Sequence, residues 1–258
     1  MSRVKMNFSL QNQLEAADKL QKTCSEIYIT VTSSLTTGMS ENDISEMVGK
    51  EFLKRGIANF WYDVPIFVLI GEERFFALKE QDYEVKRPKS SVQLIPGDVI
   101  YIDMHPQDSQ MIWGDYNSMC VFKPQGEDEE KVTFLKLIYS IHQAGIKTIT
   151  PSMTASKLFQ WYENQYAKHG ITLVDKRDTV GHQMTWGAKK DEQGNYRISF
   201  LDKNNNEPLS GGIYAIEPGG YRKQNGQLFV GRFEDCIYIP KQGKAVILGR
   251  KDPPPLLV

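Results

Sequence analysis

The sequence predicts an α+β domain built from two similar halves that are related by a pseudo-twofold axis. Two stretches indicate this, residues 94–103 (LIPGDVIYID) and residues 208–217 (PLSGGIYAIE). Each has a turn followed by an apolar β-type run, and each run ends on a carboxylate, which a buried strand rarely carries without a partner. The two carboxylates, Asp103 and Glu217, lie 114 residues apart.

The same offset relates apolar, capping and glycine positions along two further segments of each half. The pairs are Leu20 with Phe134, Cys24 with Ile138, Ile27 with Ile141, Leu35 with Ile149, Ser40 with Thr154, Ile44 with Leu158, Met47 with Trp161, Val48 with Tyr162, Gly56 with Gly170 and Ile57 with Ile171. A single duplication explains this order, and chance agreement of apolar periodicities is the alternative. We therefore predict an internal repeat of about residues 14–122 and 128–239, within one domain of residues 1–258 that has no separate N-terminal domain.

The first half begins with apolar residues at three- and four-residue spacing from residue 11 to residue 35, which is typical of a long amphipathic helix. Ser40 with Asp43 indicates the capped start of a second helix, which ends at Gly56. Residues 60–78 have the composition of strands with a turn at residues 71–73. The strand at residues 94–103 then has residues 111–122 as its hairpin partner.

The second half begins at the acidic residues 127–130, which favour a helix start. Helices to residue 148 and over residues 152–169 precede a strand at residues 171–174. Beyond a polar loop and the strand that ends at Glu217, residues 228–239 form the last predicted strand of the repeat.

The composition is that of an ordinary soluble chain, with 258 residues, 40% hydrophobic residues and a formal net charge of −1. A chain without basic excess is not expected to bind nucleic acid or an anionic membrane surface. The longest apolar run, residues 64–70, is far too short to span a bilayer. The three cysteines are odd in number and form no CxxC pair, so a disulfide framework or zinc knuckle is not indicated. We expect a cytoplasmic protein.

Five potential metal ligands lie at the end or in the middle of otherwise apolar runs. They are Asp103, Asp115, His182, Glu217 and Glu234. An isolated ionised carboxylate is costly there, whereas a divalent cation can compensate several at once. Four carboxylates and one imidazole suit a pair of Mn²⁺, Fe²⁺, Co²⁺ or Zn²⁺ ions. For each residue alone, a hydrogen-bonded strand-end carboxylate or a core histidine is the alternative.

The motifs around these residues are IDMHP, GDYNSM, VGHQM, IEPGG and RFEDCIYI. In this order they resemble the metal-ligand motifs of the pita-bread metallopeptidases, which include methionine aminopeptidase, aminopeptidase P, prolidase and the non-peptidase creatinase. The resemblance extends from about residue 14 to residue 248. It implies the pita-bread fold, in which two pseudo-twofold related α/β halves surround a central curved antiparallel sheet.

The resemblance also implies a ligand arrangement and a reaction. Asp115 and Glu234 would bridge two divalent metal ions, Asp103 would complete one, and His182 and Glu217 would complete the other. A bridging water would attack an amide carbonyl of a small peptide or another amide-containing small molecule, with Glu217 as the catalytic proton acceptor. The implied activity is that of an Xaa-Pro aminopeptidase or dipeptidase, and a homodimer is a further expectation.

The chain departs from the family pattern because it lacks two outer histidines. Its first histidine is His105, and none follows His182, where the second would fall near Lys189. In the family these histidines are thought to bind substrate and stabilise the tetrahedral intermediate. Two alternatives therefore stay open. One is a non-peptidase metalloenzyme that keeps the dinuclear centre, a creatinase-like C–N hydrolase or lyase that acts on a small metabolite. The other is an inactive peptide- or protein-binding module.

Four local residues are candidates to complete the site. His105 follows Asp103 by two positions, so in an extended chain both project to one side, where His105 would be a catalytic acid or an extra ligand. The alternative is a loop histidine before a proline. Lys189 is a candidate cation in place of a histidine, and Trp113 and Trp186 are candidates for a substrate-binding wall.

Overall fold

The computed structural model describes residues 9–79, 87–109, 112–175, 177–184, 199–249 and 252–258. The helices are α1 (Leu10–Thr32), α2 (Glu41–Lys54), α3 (Glu72–Phe76), α4 (Glu129–Thr148) and α5 (Ala155–Lys168), with 3-10 turns at Ala77–Lys79 and Gly126–Asp128. None of the described helices combines the length and hydrophobicity that crossing a bilayer requires.

The strands are short and all their pairings are antiparallel. They are β1 (Asn59–Phe60), β2 (Ile66–Ile70), β3 (Val99–Met104), β4 (Pro106–Gln107), β5 (Tyr116–Val121), β6 (Thr172–Leu173), β7 (Thr179–Gln183), β8 (Phe200–Asp202), β9 (Gly212–Ile216), β10 (Gly219–Gln224), β11 (Gln227–Arg232), β12 (Asp235–Ile239) and β13 (Val246–Ile247).

The two halves repeat one sheet order. The first half contains β2-β3-β5, and the second contains β7-β9-β12 within the longer order β13-β12-β9-β7-β8. A third sheet has the order β11-β10-β6, and β1 pairs with β4. The Glu234 amide donates to the Asn117 carbonyl oxygen at 3.2 Å, so the two halves are joined by a backbone hydrogen bond.

The helices α2 and α5 show the relationship of the halves most directly. Both have 14 residues, and their capping residues Ser40 and Thr154 each accept a hydrogen bond from a backbone amide of the first turn. Both are followed by a glycine with positive φ, Gly56 at 75° and Gly170 at 64°. The predicted α+β fold with two pseudo-twofold related halves is therefore confirmed.

Side chains of the central strands point alternately to the two faces of the sheet, so that core residues and site residues lie on opposite faces. In β3, Ile100 and Ile102 face the cluster formed by α1 and α2. Asp103 has the opposite parity and therefore points to the other face of the strand, as Tyr101 does. All six residues of β3 are buried, because both faces of this sheet are covered.

The prediction of strands over residues 60–78 is wrong for its second part. Strand β2 ends at Ile70, the next residue is Gly71, whose φ of 88° favours glycine, and α3 follows. Its first turn carries two glutamates, which a helix N-terminus favours. Arg74 then forms an ion pair at 2.8 Å with Glu41, which is fully buried at the start of α2. This tertiary contact has no counterpart in the local apolar pattern.

The predicted single strand over residues 228–239 is two strands. β11 ends at Arg232, and β12 begins at Asp235. The interruption contains Glu234, and β12 then continues in a different sheet.

We predict that Gly181→Ala strongly destabilises the protein. Gly181 has a φ of 146°, and a Cβ there would lie 2.0 Å from the Ala215 carbonyl oxygen. The backbones of β7 and β9 must therefore separate, at an expected cost of about 2–4 kcal/mol in the free energy of unfolding. Urea denaturation in the presence of chelator measures this cost.

Gly49→Ala is the matched control for this substitution. Gly49 lies within α2, and its added methyl group would meet the Ile66 side chain at an ordinary 3.7 Å. This variant is expected to be more stable by about 0.5–1 kcal/mol. Equal stability changes in the two variants would contradict the close approach of the strands.

Candidate metal centre

The five predicted ligands come from both halves and from different strands. Asp103 lies in β3, Asp115 immediately precedes β5, and His182 lies in β7. Glu217 immediately follows β9, and Glu234 lies between β11 and β12. All are buried except Glu217, whose side chain is 17% exposed.

Asp115 lies between two imidazoles. Its Oδ2 atom is 3.1 Å from His182 Nε2, and its Oδ1 atom is 3.7 Å from His105 Nε2. Each imidazole also contacts a second carboxylate. His105 Nε2 is 3.2 Å from Asp103 Oδ1, and His182 Nε2 is 3.9 Å from Glu217 Oε1. The structure thus brings the predicted residue His105 into the same cluster.

Asn117 connects the remaining carboxylates. Its Nδ2 atom donates to Glu234 Oε2 at 2.9 Å and to Glu217 Oε2 at 3.4 Å. The sequence analysis missed this residue, although it follows Asp115 by two positions, a spacing that places both on one side of an extended chain. The other oxygen of Glu234, Oε1, is buried and has no hydrogen-bond partner among the described residues. This atom is therefore a candidate metal donor.

Arg232 is the second residue that the sequence analysis missed. It is 3% exposed at the end of β11, with Nη1 3.6 Å from Glu217 Oε2. Its Nη2 donates to Asp175 Oδ2 at 2.9 Å and to the Val174 carbonyl oxygen at 2.9 Å. The signal was available, since an arginine in an apolar strand two residues before a predicted ligand needs an acidic partner.

The electrostatics of the cluster disfavour full ionisation. Burial raises the pKa of Glu234 well above its usual range, and the charges of Asp115, Glu217 and Asp103 raise it further. Burial also raises the pKa of Glu217, although Arg232 opposes this shift. These carboxylates require an additional positive charge to ionise together.

His182 has a raised pKa for a different reason. Burial lowers the pKa of its imidazole, but the hydrogen bond and charge of Asp115 outweigh burial, and the charge of Glu217 adds to them. Its Nδ1 atom is 3.4 Å from the Gln183 carbonyl oxygen, so Nε2 is the nitrogen that faces the carboxylates.

A pocket with about 500 Å³ of empty space opens beside the carboxylates. Its aromatic wall consists of Trp61, Tyr62, Phe67 and Phe200. Arg177 also lines the pocket, with its guanidinium 4.8 Å from the centre of the Phe200 ring.

The predicted substrate-binding residues have different positions. Trp113 is 1% exposed and stacks behind Trp61, with ring centres 4.8 Å apart. Trp61, rather than Trp113, is therefore the tryptophan of this pair that lines the pocket. Trp186 and Lys189 lie outside the described residues.

The residues present fit divalent metal ions. Buried carboxylate oxygens and imidazole nitrogens are the donors that first-row divalent metals take in proteins. Asp103, His105 and Asp115 alone provide three donor atoms within 4.8 Å of one another. The buried Glu234 Oε1 atom, which has no hydrogen-bond partner among the described residues, is a further donor that a metal ion could take.

Comparison with solved structures gives the same fold over almost the whole chain. The X-Pro aminopeptidase of Thermotoga maritima superposes with a TM-score of 0.75 at 16% identity, over 97% of this chain and 64% of that protein. The prolidase of Pyrococcus furiosus gives 0.71 at 16% identity, over 95% and 66%. This chain thus spans slightly less than two thirds of the length of either protein.

A shorter relative matches from end to end. The methionine aminopeptidase of Thermotoga maritima superposes with a TM-score of 0.71 at 17% identity, over 97% of this chain and all of that protein. A search of curated protein sequences gave no match.

The sequence itself also identifies the family. The model of metallopeptidase family M24 matches residues 15–241, a range that contains all five predicted ligands. With the solved structures above, this match confirms the pita-bread fold. The chain therefore belongs to metallopeptidase family M24.

Proposed function

We propose that the protein is a dinuclear metal-dependent hydrolase that cleaves an amide bond of a small peptide, as Xaa-Pro aminopeptidases and dipeptidases do. The observation that carries this proposal is the position of Asp115 at the centre of the cluster. One of its oxygens faces the side of Asp103, and the other faces His182 and Glu217. A carboxylate so placed is suited to bridge two ions.

The proposed ligand set assigns Asp115 and Glu234 as bridges, Asp103 to one ion, and His182 and Glu217 to the other. When bound, the ions would supply a water of lowered pKa and polarise the substrate carbonyl. Asn117 holds both glutamates by hydrogen bonds, which fixes the positions of their free oxygens.

Glu217 is the proposed proton acceptor. Its side chain is the most exposed of the five ligands and lines the pocket. Arg232 contacts its Oε2 atom from the buried side and thereby keeps Oε1 directed toward His182.

The pocket supports a small substrate. Its aromatic wall suits an apolar ring or side chain. The solved structures with this fold include an X-Pro aminopeptidase and prolidases, which favours Xaa-Pro peptides as the first substrates to test. A homodimer, a cytoplasmic location and substrate contacts by Trp186 and Lys189 remain predictions.

A second candidate function is C–N hydrolysis or elimination on a small non-peptide metabolite. The chain has four histidines. His142 is fully buried against Asp235 at 3.0 Å, and His169 ends α5 on the surface. Only His105 and His182 therefore line the pocket, so no outer histidine can stabilise a tetrahedral intermediate. This absence favours a reaction that differs from ordinary peptide hydrolysis.

We predict that Asp115→Asn and Glu234→Gln each lower the metal content below two ions per chain. Both substitutions keep the size of the side chain but remove the charge that holds the ions. Hydrolysis of an Xaa-Pro dipeptide is expected to fall by about 100-fold or more, because even outer-shell partners of metal ligands contribute 10- to 100-fold. Elemental analysis of protein purified without chelator measures the metal content.

Asp178→Asn is the matched control, because this exposed aspartate pairs only with Lys203 among the contacts the structure describes at its carboxylate. Its metal content and activity should equal those of the wild type. Activity assays with Xaa-Pro dipeptides, Met-peptides and creatine-like amidines separate the two candidate functions. A wild-type protein without transition metal would contradict both candidate functions.

We also predict that metal stabilises the protein more as the pH rises. In the metal-free protein, the raised pKa values of Glu217, Glu234 and His182 mean that these groups retain protons in the folded state. Their contribution to stability is present below the unfolded pKa values, about 4.3 for glutamate and 6.5 for histidine. It is lost as the pH rises through the folded values.

Bound metal displaces these protons, so metal affinity increases over the same pH range. The difference in Tm between Mn²⁺-loaded and chelator-treated protein is therefore expected to widen from about pH 5 to about pH 7.5. Thermal denaturation at several pH values measures this difference. A Tm difference that narrows with rising pH would contradict the proposed ligand roles of these residues.

A further inference from the structure

We propose that His105 is a sixth metal ligand, bound to the same ion as Asp103, so that each of the two ions has one imidazole ligand. This inference rests on the proposed dinuclear function and extends its set of five ligands. It also replaces the predicted role of His105 as a catalytic acid, because Nε2 cannot donate a proton while it binds a metal ion.

The distance between His105 and Asp103 matches that of two ligands that share an ion, and the distance to Asp115 is about 0.3 Å longer than the tetrahedral value. Two donors with metal bonds of 2.0–2.2 Å lie about 3.0 Å apart at a right angle and about 3.4 Å apart at the tetrahedral angle. His105 Nε2 is 3.2 Å from Asp103 Oδ1 and 3.7 Å from Asp115 Oδ1. The predicted ligand His182 has the same relation to Asp115 Oδ2, at 3.1 Å.

The orientation of the ring also matches that of His182. His105 Nδ1 is 3.2 Å from the Pro65 carbonyl oxygen, as His182 Nδ1 is 3.4 Å from the Gln183 carbonyl oxygen. A hydrogen bond from Nδ1 to a carbonyl leaves the lone pair on Nε2, which is the usual arrangement of a metal-binding histidine. Both imidazoles therefore present the same nitrogen to Asp115, from opposite sides.

Three aromatic residues hold the His105 ring in this orientation. Tyr62 stacks on it with ring centres 5.0 Å apart and an angle of 28°. Trp61 and Phe67 contact it at steeper angles, with ring centres 5.3 Å and 4.8 Å away. A ring packed this tightly needs little rearrangement to bind an ion, which is the condition for a preorganised ligand.

An ion pair between His105 and Asp103 is the simpler explanation, but it leaves the cluster unbalanced. Four carboxylates converge there, and Arg232, which contacts Glu217, also pairs with Asp175. Glu234 Oε1 also lacks a hydrogen-bond partner among the described residues. A second cation beside Asp103 resolves both features, and His105 is placed to bind it.

A His105 ligand changes which metal is preferred at the site that contains Asp103, which is called the first site below. Carboxylate oxygens alone suit Mn²⁺ and Mg²⁺, whereas imidazole suits Zn²⁺, Fe²⁺ and other later metals. The first site is therefore expected to favour Zn²⁺ and Co²⁺ over Mn²⁺ more strongly than a site made of Asp103, Asp115 and Glu234 alone.

The test compares His105→Phe and His105→Gln with the wild type and with His169→Gln. Phenylalanine preserves the packing against the three aromatic residues but removes the ligand. Glutamine is a second, polar substitution, so an effect seen in both variants does not arise from misfolding of the phenylalanine variant. His169 is exposed at the end of α5, so its glutamine variant is a matched control. Chelator competition with Zn²⁺, Co²⁺ and Mn²⁺ measures each binding step, and the visible spectrum of bound Co²⁺ reports its ligands.

The wild type and His169→Gln are expected to bind two ions. Both His105 variants should bind one ion normally and the other at least about tenfold more weakly, with an altered Co²⁺ spectrum and a reduced preference for Zn²⁺ over Mn²⁺. Two ions bound with unchanged affinity and spectrum in a folded His105→Phe protein would overturn the role of His105 alone. A wild type that binds no ion would overturn this inference together with the proposed function.

Discussion

Four carboxylates share one buried region between the two halves, and the cost of keeping them there shapes the surrounding structure. Burial raises the pKa of Glu217 and of Glu234, so the fold must supply hydrogen bonds and positive charge. Asn117 supplies the first to both glutamates, and Arg232 supplies the second to Glu217. The remaining imbalance is the physical reason why we propose metal ions in this cavity.

The duplicated architecture explains why the cluster forms at this place. Corresponding strands of the two halves carry Asp103 and Glu217 on the faces turned away from their own helices, because side chains alternate along a strand. The halves differ where the chemistry differs. The second half carries the predicted ligand His182 within β7, whereas the equivalent strand β2 of the first half has no histidine. The imidazole on that side comes from His105, just after β3.

Local patterns were sufficient to predict much of the fold. The capping residues Ser40 and Thr154 marked the starts of α2 and α5. Local patterns failed for α3, because an ion pair between Glu41 and Arg74, distant in sequence, helps to hold that segment.

For the site too, local patterns predicted some residues, whereas others depend on contacts between distant parts of the chain. The four carboxylates and His182 were visible in the sequence at the end or in the middle of apolar runs, and the family resemblance implied the role of each. The contacts of Asn117 and Arg232 depend on which strands of the two halves lie next to each other, and a local sequence pattern does not show this. The ring orientation of His105 likewise depends on contacts with Pro65, Tyr62 and Phe67, which are distant from it in the sequence. The choice of Trp61 over Trp113 as the pocket wall required the stacked geometry itself.

The hydrogen bond from the Glu234 amide to the Asn117 carbonyl oxygen has a consequence for how the molecule comes apart. This hydrogen bond joins the two halves, and the carboxylates of the cluster come from both halves. Ions bound as we propose would act as reversible cross-links between segments more than a hundred residues apart in the chain. Neither half could then open by itself without releasing metal, so occupancy of the site would couple the two halves into one cooperative unit.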